Sequence, residues 1–177
     1  MSSESHGHSD ALKAKASAVR LVGFDVDGVL TNGQLGIASD GQETKFFHVH
    51  DGHGIKQLLR LGLEVAWISA RQSASVARRA AELGVVHLFQ GEIDKWPRLD
   101  GLARSLNLDA AQIAYMGDDL PDLECLHRAG LAAAPADAQP AILAAVDWVS
   151  SRNGGSGAVR EFAELLLAAR ALAEGRP

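Results

Sequence analysis

The chain has 177 residues, 47% of them apolar and 22% charged, which suits one globular domain able to bury a core. Its net charge of -5 excludes the broad basic surface of a nucleic-acid binder. It leaves room for a phosphorylated ligand, because a few local cations or one metal ion override the global sign. A single cysteine, Cys125, rules out an internal disulfide, no apolar run reaches membrane-spanning length, and no basic start precedes an apolar stretch, so a cytoplasmic location is expected.

Residues 1–9 (MSSESHGHS) are small and polar and predict a disordered tail, with His6 and His8 solvated rather than metal-bound. Residues 10–177 are expected to form one domain. Leu21 to Phe24 reads as a buried strand ending in acids. Turn signals at Asn32-Gly33 and Asp40-Gly41 predict a β-hairpin within 33–49, with arms 34–38 and 43–49. A helix is expected over 54–61, a strand over 63–68, and a helix over 72–83 stopped by Gly84. A strand over 85–89 and a helix over 97–106 follow, with Pro97 tolerated in the first turn. The rest reads as a strand at 113–116, a helix at 121–129, a strand at 131–133, a helix at 139–145, a short strand at 147–149 and an amphipathic helix at 158–173. A glycine-rich segment leads into that last helix, within a C-terminal region 152–177.

Strands alternating with helices predict an α/β fold, a doubly wound, parallel, Rossmann-like sheet with a protruding hairpin. Such sheets bind ligands at the carboxyl ends of their strands. There the polar residues converge: Asp25 and Asp27 after the first strand, Ser69 after the second sheet strand, Lys95 beyond the third, and Asp118-Asp119 after the fourth. Asp25 and Asp27 share one side of an extended chain and would repel without a cation or a proton between them. A hard cation with oxygen ligands resolves that, and magnesium is the usual one in phosphate chemistry. Phosphoryl transfer needs an in-line nucleophile, a proton shuttle and positive charge on the phosphoryl oxygens. Asp25 supplies the first, Asp27 the second, and Lys95, the Ser69 hydroxyl and a metal the third. Each residue alone has a bland reading: a solvated acid pair, a helix cap at Ser69, a surface lysine, a turn at Asp118. Their common edge and order do not.

These residues resemble the motifs of the haloacid dehalogenase superfamily: DVDGVLT (25–31), Ile68-Ser69, Lys95 and GDDLPD (117–122). The resemblance implies Asp25 as nucleophile, Asp27 as acid/base, and magnesium held by Asp25, the backbone carbonyl of Asp27, and Asp118. Asp119 and Asp122 would support the metal and Lys95. Over residues 20–170 the chain further resembles the family of 3-deoxy-D-manno-octulosonate 8-phosphate phosphatases of lipopolysaccharide synthesis. The matching segments are DVDGVLTNG, FHVHDGHGI (47–55), SAR (69–71), LFQGEIDK (88–95) and GGSGAVRE (154–161). That family's substrate contacts fall on Asp27, His48, Val49, His50, Asp51, Gly52, Lys56, Arg71, Arg79 and Lys95. Family members carry Asn at His48, Arg at His50 and Lys56, and Thr-Gly-Arg at Ser69-Ala70-Arg71. Losing the fork of an arginine is not conservative, so a related nine-carbon keto-sugar acid 9-phosphate stays open as substrate.

The intervals Asp27 to Ser69 and Lys95 to Asp118 are too short for a separate cap domain. A two-stranded ribbon is marginal alone and invites pairing with another copy. The resemblance implies a homotetramer in which neighbours cap each other's sites; the alternative is a hairpin folded back on its own domain. The glycine-rich 152–157 segment is either a flexible linker or an arm reaching a neighbouring site. A phospho-accepting receiver domain is the non-enzymatic competitor, but it places adjacent acids early and a lone Asp later, the reverse of this order. A decayed scaffold would have lost a core residue, and none is lost.

Overall fold

In a computed structural model the described residues are 3–173 and 175, with residues 3–9 described in backbone alone. The strands are β1 (Leu21–Phe24), β2 (Gly36–Ile37), β3 (Glu43–Thr44), β4 (Glu64–Ser69), β5 (His87–Gln90), β6 (Ile113–Met116), β7 (Leu131–Ala134) and β8 (Trp148–Val149). The helices are α1 (Ser3–Ala18), α2 (Val49–Arg60), α3 (Ala74–Leu83), α4 (Trp96–Ser105), α5 (Leu123–Arg128), α6 (Pro140–Leu143) and α7 (Ala158–Ala173). None of these helices is long and apolar enough to cross a membrane.

Six strands form one parallel sheet in the order β5-β4-β1-β6-β7-β8. The central strands are apolar along their whole length because both faces are covered. Alternate residues serve opposite sides: Val22, Phe24, Val65 and Trp67 pack under α1, α2, α3 and α7. Leu21, Ala66, Ile68, Ile113 and Tyr115 pack against α4, α5 and α6. The connections from β1 run outward through β4 to β5, then return to β6 on the other side. The sheet thus reverses direction beside β1, which places the crevice beyond the carboxyl ends of β1 and β6.

All six predicted sheet strands form, and α3 ends at Gly84 in the left-handed conformation. Three elements differ. The hairpin exists but its strands are two residues each, so the expected arm to residue 49 is too long. Helix α2 begins at Val49 rather than 54, because the His48 ring accepts a hydrogen bond from the His50 amide, 3.3 Å, and caps it. Helix α1 runs from Ser3 through the segment expected as a disordered tail, and residues 1 and 2 lie outside the described residues. Its C-terminal half docks on the core through Leu12 and Ala16, and Lys15 pairs with Asp147 at 2.5 Å.

Candidate active site

Asp25 follows β1 directly, its amide donating to the Met116 carbonyl at 3.0 Å, which ties the first acid to the end of β6. The chain then turns over Val26–Leu30, and Gly28 adopts a positive φ of 100°. A Cβ there would sit 2.1 Å from Asp118 Oδ2, so only glycine lets the two loops approach.

Asp25 is 7% exposed, and beside it stands the buried ammonium of Lys95, the residue that precedes α4. Lys95 Nζ donates to Asp25 Oδ1 at 2.6 Å and to Asp122 Oδ1 at 2.7 Å. Asp122 Oδ1 also accepts from the Tyr115 hydroxyl at 2.7 Å. Its Oδ2 accepts from the amides of Asp118, 3.0 Å, and Asp119, 3.3 Å. Asp122 is therefore fully engaged in fixing Lys95 and the β6 loop.

Electrostatics follow from this crowding. Burial and the Asp122 charge push Asp25 up to about 6, against the pull of Lys95. Asp118 is pushed up to about 8 by burial, Asp25 and Asp122. Burial alone would lower the Lys95 ammonium, but Asp25 and Asp122 outweigh it and hold it above the usual range.

These shifts describe three clustered acids whose negative charge Lys95 alone does not balance. Carboxylate oxygens of Asp25, Asp118 and Asp122 all lie within 4.8 Å of one another, and Asp118 Oδ1 is buried with no hydrogen-bond partner. An orphaned carboxylate oxygen facing other hard oxygen donors fits a magnesium ion. The side chain of Asp27 is not part of this cluster; it turns away to pair with Lys45.

A cleft of about 170 Å³ opens over these acids, lined by Asp25, Asp27, Ser69, Arg71, Lys95, Asp118 and Asp119. Ser69 is buried and its hydroxyl accepts from the Arg71 amide at 3.1 Å, which leaves its proton to donate. It does not cap α3; that position belongs to Ser73. Arg71 reaches back to the hairpin and pairs with Glu43 at 2.8 Å.

The rest of the predicted substrate set stands elsewhere on the chain. His48 and His50 line a separate cavity of about 390 Å³, with Arg152, Gly157 and Arg160. Val49 is exposed. Asp51 is buried and accepts from the amides of Gly157, 3.2 Å, and Arg160, 2.8 Å, so it caps α7. Gly52 leaves room for Arg79, whose guanidinium would stand 2.4 Å from a Cβ there and pairs with Glu82 at 2.9 Å. Lys56 borders a third hollow with Arg60 and Leu83.

The glycine-rich segment is folded onto its own chain. Gly155 donates to the Val29 carbonyl at 2.9 Å, and Gly154 donates to Asp137 at 2.9 Å. A Cβ on Gly154 would sit 1.8 Å from the Gly28 carbonyl. Within its own chain it is no loose linker: it buttresses the loop after Asp25.

Two residues at the site were missed from sequence. Tyr115 looked like one more core aromatic, and its hydroxyl contact is nonlocal. Lys45 reads as a surface lysine in sequence, but in the fold Lys45 is buried, Phe46 is 72% exposed, and Phe47 stacks on Trp67 at 6.2 Å between centroids. That alternation points Lys45 inward.

The comparisons with known proteins agree with this geometry. A model of the haloacid dehalogenase-like hydrolase family matches residues 68–162. The chain is 42% identical over 156 residues to the 3-deoxy-D-manno-octulosonate 8-phosphate phosphatase KdsC of Salmonella typhi, covering 88% of this chain and 83% of that protein. A protein from Legionella pneumophila assigned to subfamily III A of the same superfamily is similar at 41% identity and a TM-score of 0.93, covering 97% of this chain and 94% of that one. A 3-deoxy-D-manno-octulosonate 8-phosphate phosphatase from Moraxella catarrhalis, crystallised with a magnesium ion, a phosphate ion and KDO, is similar at 40% identity and a TM-score of 0.90, covering 94% and 95%.

Proposed function

Because the chain belongs to the haloacid dehalogenase-like hydrolases and, within them, to the 3-deoxy-D-manno-octulosonate 8-phosphate phosphatases, we propose that it hydrolyses that sugar-acid phosphate to Kdo and inorganic phosphate, with magnesium as cofactor. The observation that carries the chemistry is Asp25 held at the sheet's switch point by Lys95, with carboxylate oxygens of Asp25 and Asp118 within 4.8 Å of each other and Asp118 Oδ1 unpartnered.

Asp25 and Asp118, with the backbone carbonyl of Asp27, would hold the magnesium. When bound, the ion neutralises the negative charge gathered by these carboxylates and the phosphoryl oxygens. Lys95 keeps Asp25 oriented through one carboxylate oxygen, leaving the other to attack. A bond forms from Asp25 to phosphorus as the bond from phosphorus to the sugar oxygen breaks, and Asp27 gives its proton to that oxygen. Asp27 then takes a proton from water, whose oxygen bonds to phosphorus as the bond from phosphorus to the Asp25 carboxylate breaks. Phosphate leaves and both carboxyl groups return to their starting states. Ser69 donates its hydroxyl proton to a phosphoryl oxygen, and Arg71 meets the substrate at the rim.

From the product Kdo we infer a role in lipopolysaccharide biosynthesis and a cytoplasmic location. We further propose a homotetramer in which His48, Val49, His50, Asp51, Gly52, Lys56 and Arg79 of one copy complete the site of another. In support, these residues lie away from the acids of their own chain, and Leu35, Ile37, Phe46 and Val49 expose apolar side chains around the hairpin.

A phosphate-release screen over sugar phosphates, with and without EDTA, tests the substrate. Kdo 8-phosphate should lead by at least about tenfold in kcat/KM and lose turnover with EDTA. Equal hydrolysis of unrelated sugar phosphates overturns the assignment. Because histidines replace the expected Asn and Arg at positions 48 and 50, a nine-carbon keto-sugar acid 9-phosphate belongs in the panel, and its leading would reassign the substrate.

A further inference from the structure

We propose that Lys45 is a positioning residue for the acid/base: from the hairpin, its ammonium fixes the Asp27 carboxyl over the leaving group. The proposal rests on the reading of Asp27 as acid/base given above.

Three observations carry it. The Lys45 side chain is 0% exposed, directly after β3 of a ribbon whose other residues are exposed or half-buried. Lysine is almost never fully buried unless paired. Its partners are Asp27 Oδ1, in direct contact, and Glu43 Oε1 at 3.5 Å. Glu43 in turn holds Arg71 at 2.8 Å, and Arg71 lines the cleft. A chain of charges thus runs Asp27, Lys45, Glu43, Arg71, from the loop after β1 through the hairpin to the loop after β4.

This arrangement answers a problem set by the acid cluster. Asp27 lies two residues from Asp25 and lines the same cleft. Left free, its side chain has two choices: the cation or the leaving group. Lys45 occupies Oδ1 and draws the carboxylate out of the cluster of Asp25, Asp118 and Asp122. Oδ2 is left to carry the proton. Phe47, stacked on Trp67, anchors the arm that places Lys45. The hairpin, short as it is, therefore works on the chemistry of its own chain.

The test separates the two chemical steps. p-Nitrophenolate leaves without a proton, so a misplaced Asp27 spares the first step on p-nitrophenyl phosphate and slows the second, in which water must be deprotonated. K45M should lower kcat on Kdo 8-phosphate roughly 10- to 100-fold with KM little changed. On p-nitrophenyl phosphate it should show a burst of about one p-nitrophenolate per site followed by slow turnover, while K45R should recover part of kcat. Wild-type kcat in K45M, or equal losses on both substrates without a burst, overturns the proposal; the second outcome marks a merely structural lysine. Should K45M not fold, a crystal structure of the wild-type magnesium–beryllofluoride enzyme decides: Lys45 Nζ beyond about 4 Å of Asp27 contradicts the inference. D27N distinguishes the two levels. If D27N turns over like wild type, the acid/base reading itself fails; if D27N is inactive and K45M is normal, only the Lys45 inference fails.

Discussion

The carboxyl edge of the sheet and the segment from His48 to Lys56 are opposites in construction. The edge gathers Asp25, Ser69, Lys95 and Asp118 from four separate stretches and brings them around one small cleft. The segment is contiguous in sequence, yet winding it into α2 scatters its residues. His48 and His50 turn to one cavity, Asp51 to the end of α7, and Lys56 to a hollow by α3. Parallel strands aim their ends at one place, whereas a helix distributes neighbours around its axis. The residues proposed for the chemistry thus gather around one cleft, and those proposed for recognition do not.

The sharpest way to break that comparison is to mix inactive copies. D25N lacks a nucleophile and H50A lacks a residue proposed to serve the neighbouring site. Each alone should fall by at least about 100-fold on Kdo 8-phosphate, and a refolded mixture should recover up to about a quarter of wild-type turnover. If mixing restores nothing, recognition residues do not cross between copies.

The edge can be tested by its charge. Asp25 and Asp118 titrate higher in the metal-free fold, at about 6 and about 8, than an ordinary Asp at 3.8. Between about pH 4 and about 8 the folded state therefore binds more protons than the unfolded chain, and these two groups make stability fall as pH rises. Magnesium binds the deprotonated pair, so its thermal stabilisation should grow from pH 5 to pH 8. D118N should abolish that magnesium effect, lower kcat by about 1,000-fold, and raise metal-free Tm at pH 8. Magnesium stabilisation of wild type that is equal at both pH values contradicts the cluster as the metal site.

A smaller effect sharpens the other region. D51A leaves the Gly157 and Arg160 amides without their acceptor and should cost about 1–3 kcal/mol in urea unfolding. Its kcat on p-nitrophenyl phosphate should stay within about threefold of wild type. Because p-nitrophenyl phosphate carries no sugar acid to recognise, a large loss there with unchanged stability would give Asp51 a part in the chemistry itself.

Much of this was readable from sequence, unevenly. Short apolar runs bounded by acids and glycines located every strand of the parallel sheet, because buried parallel strands have no polar face to confuse the pattern. The acid positions were readable because phosphoryl transfer needs particular groups at strand ends. The start of α2 was hidden by Gly52 and Gly54, which argue against a helix locally. They are there for close packing, since a Cβ on Gly54 would lie 3.1 Å from Ala163. The second role of Asp51 was hidden because its partners lie more than a hundred positions away. Lys45 was overlooked because an isolated lysine between a threonine and two phenylalanines reads as surface until the alternation across it is followed inward.

The central claim is that Asp25 attacks phosphorus. Acid-quenching a single turnover with radiolabelled Kdo 8-phosphate, followed by borohydride reduction and peptide mass spectrometry, tests it directly. The account predicts a transient acyl phosphate, converted by reduction to homoserine at position 25 and absent in D25N. Turnover at wild-type rates with no phosphoryl group on the protein, or with the label on another residue, would contradict it.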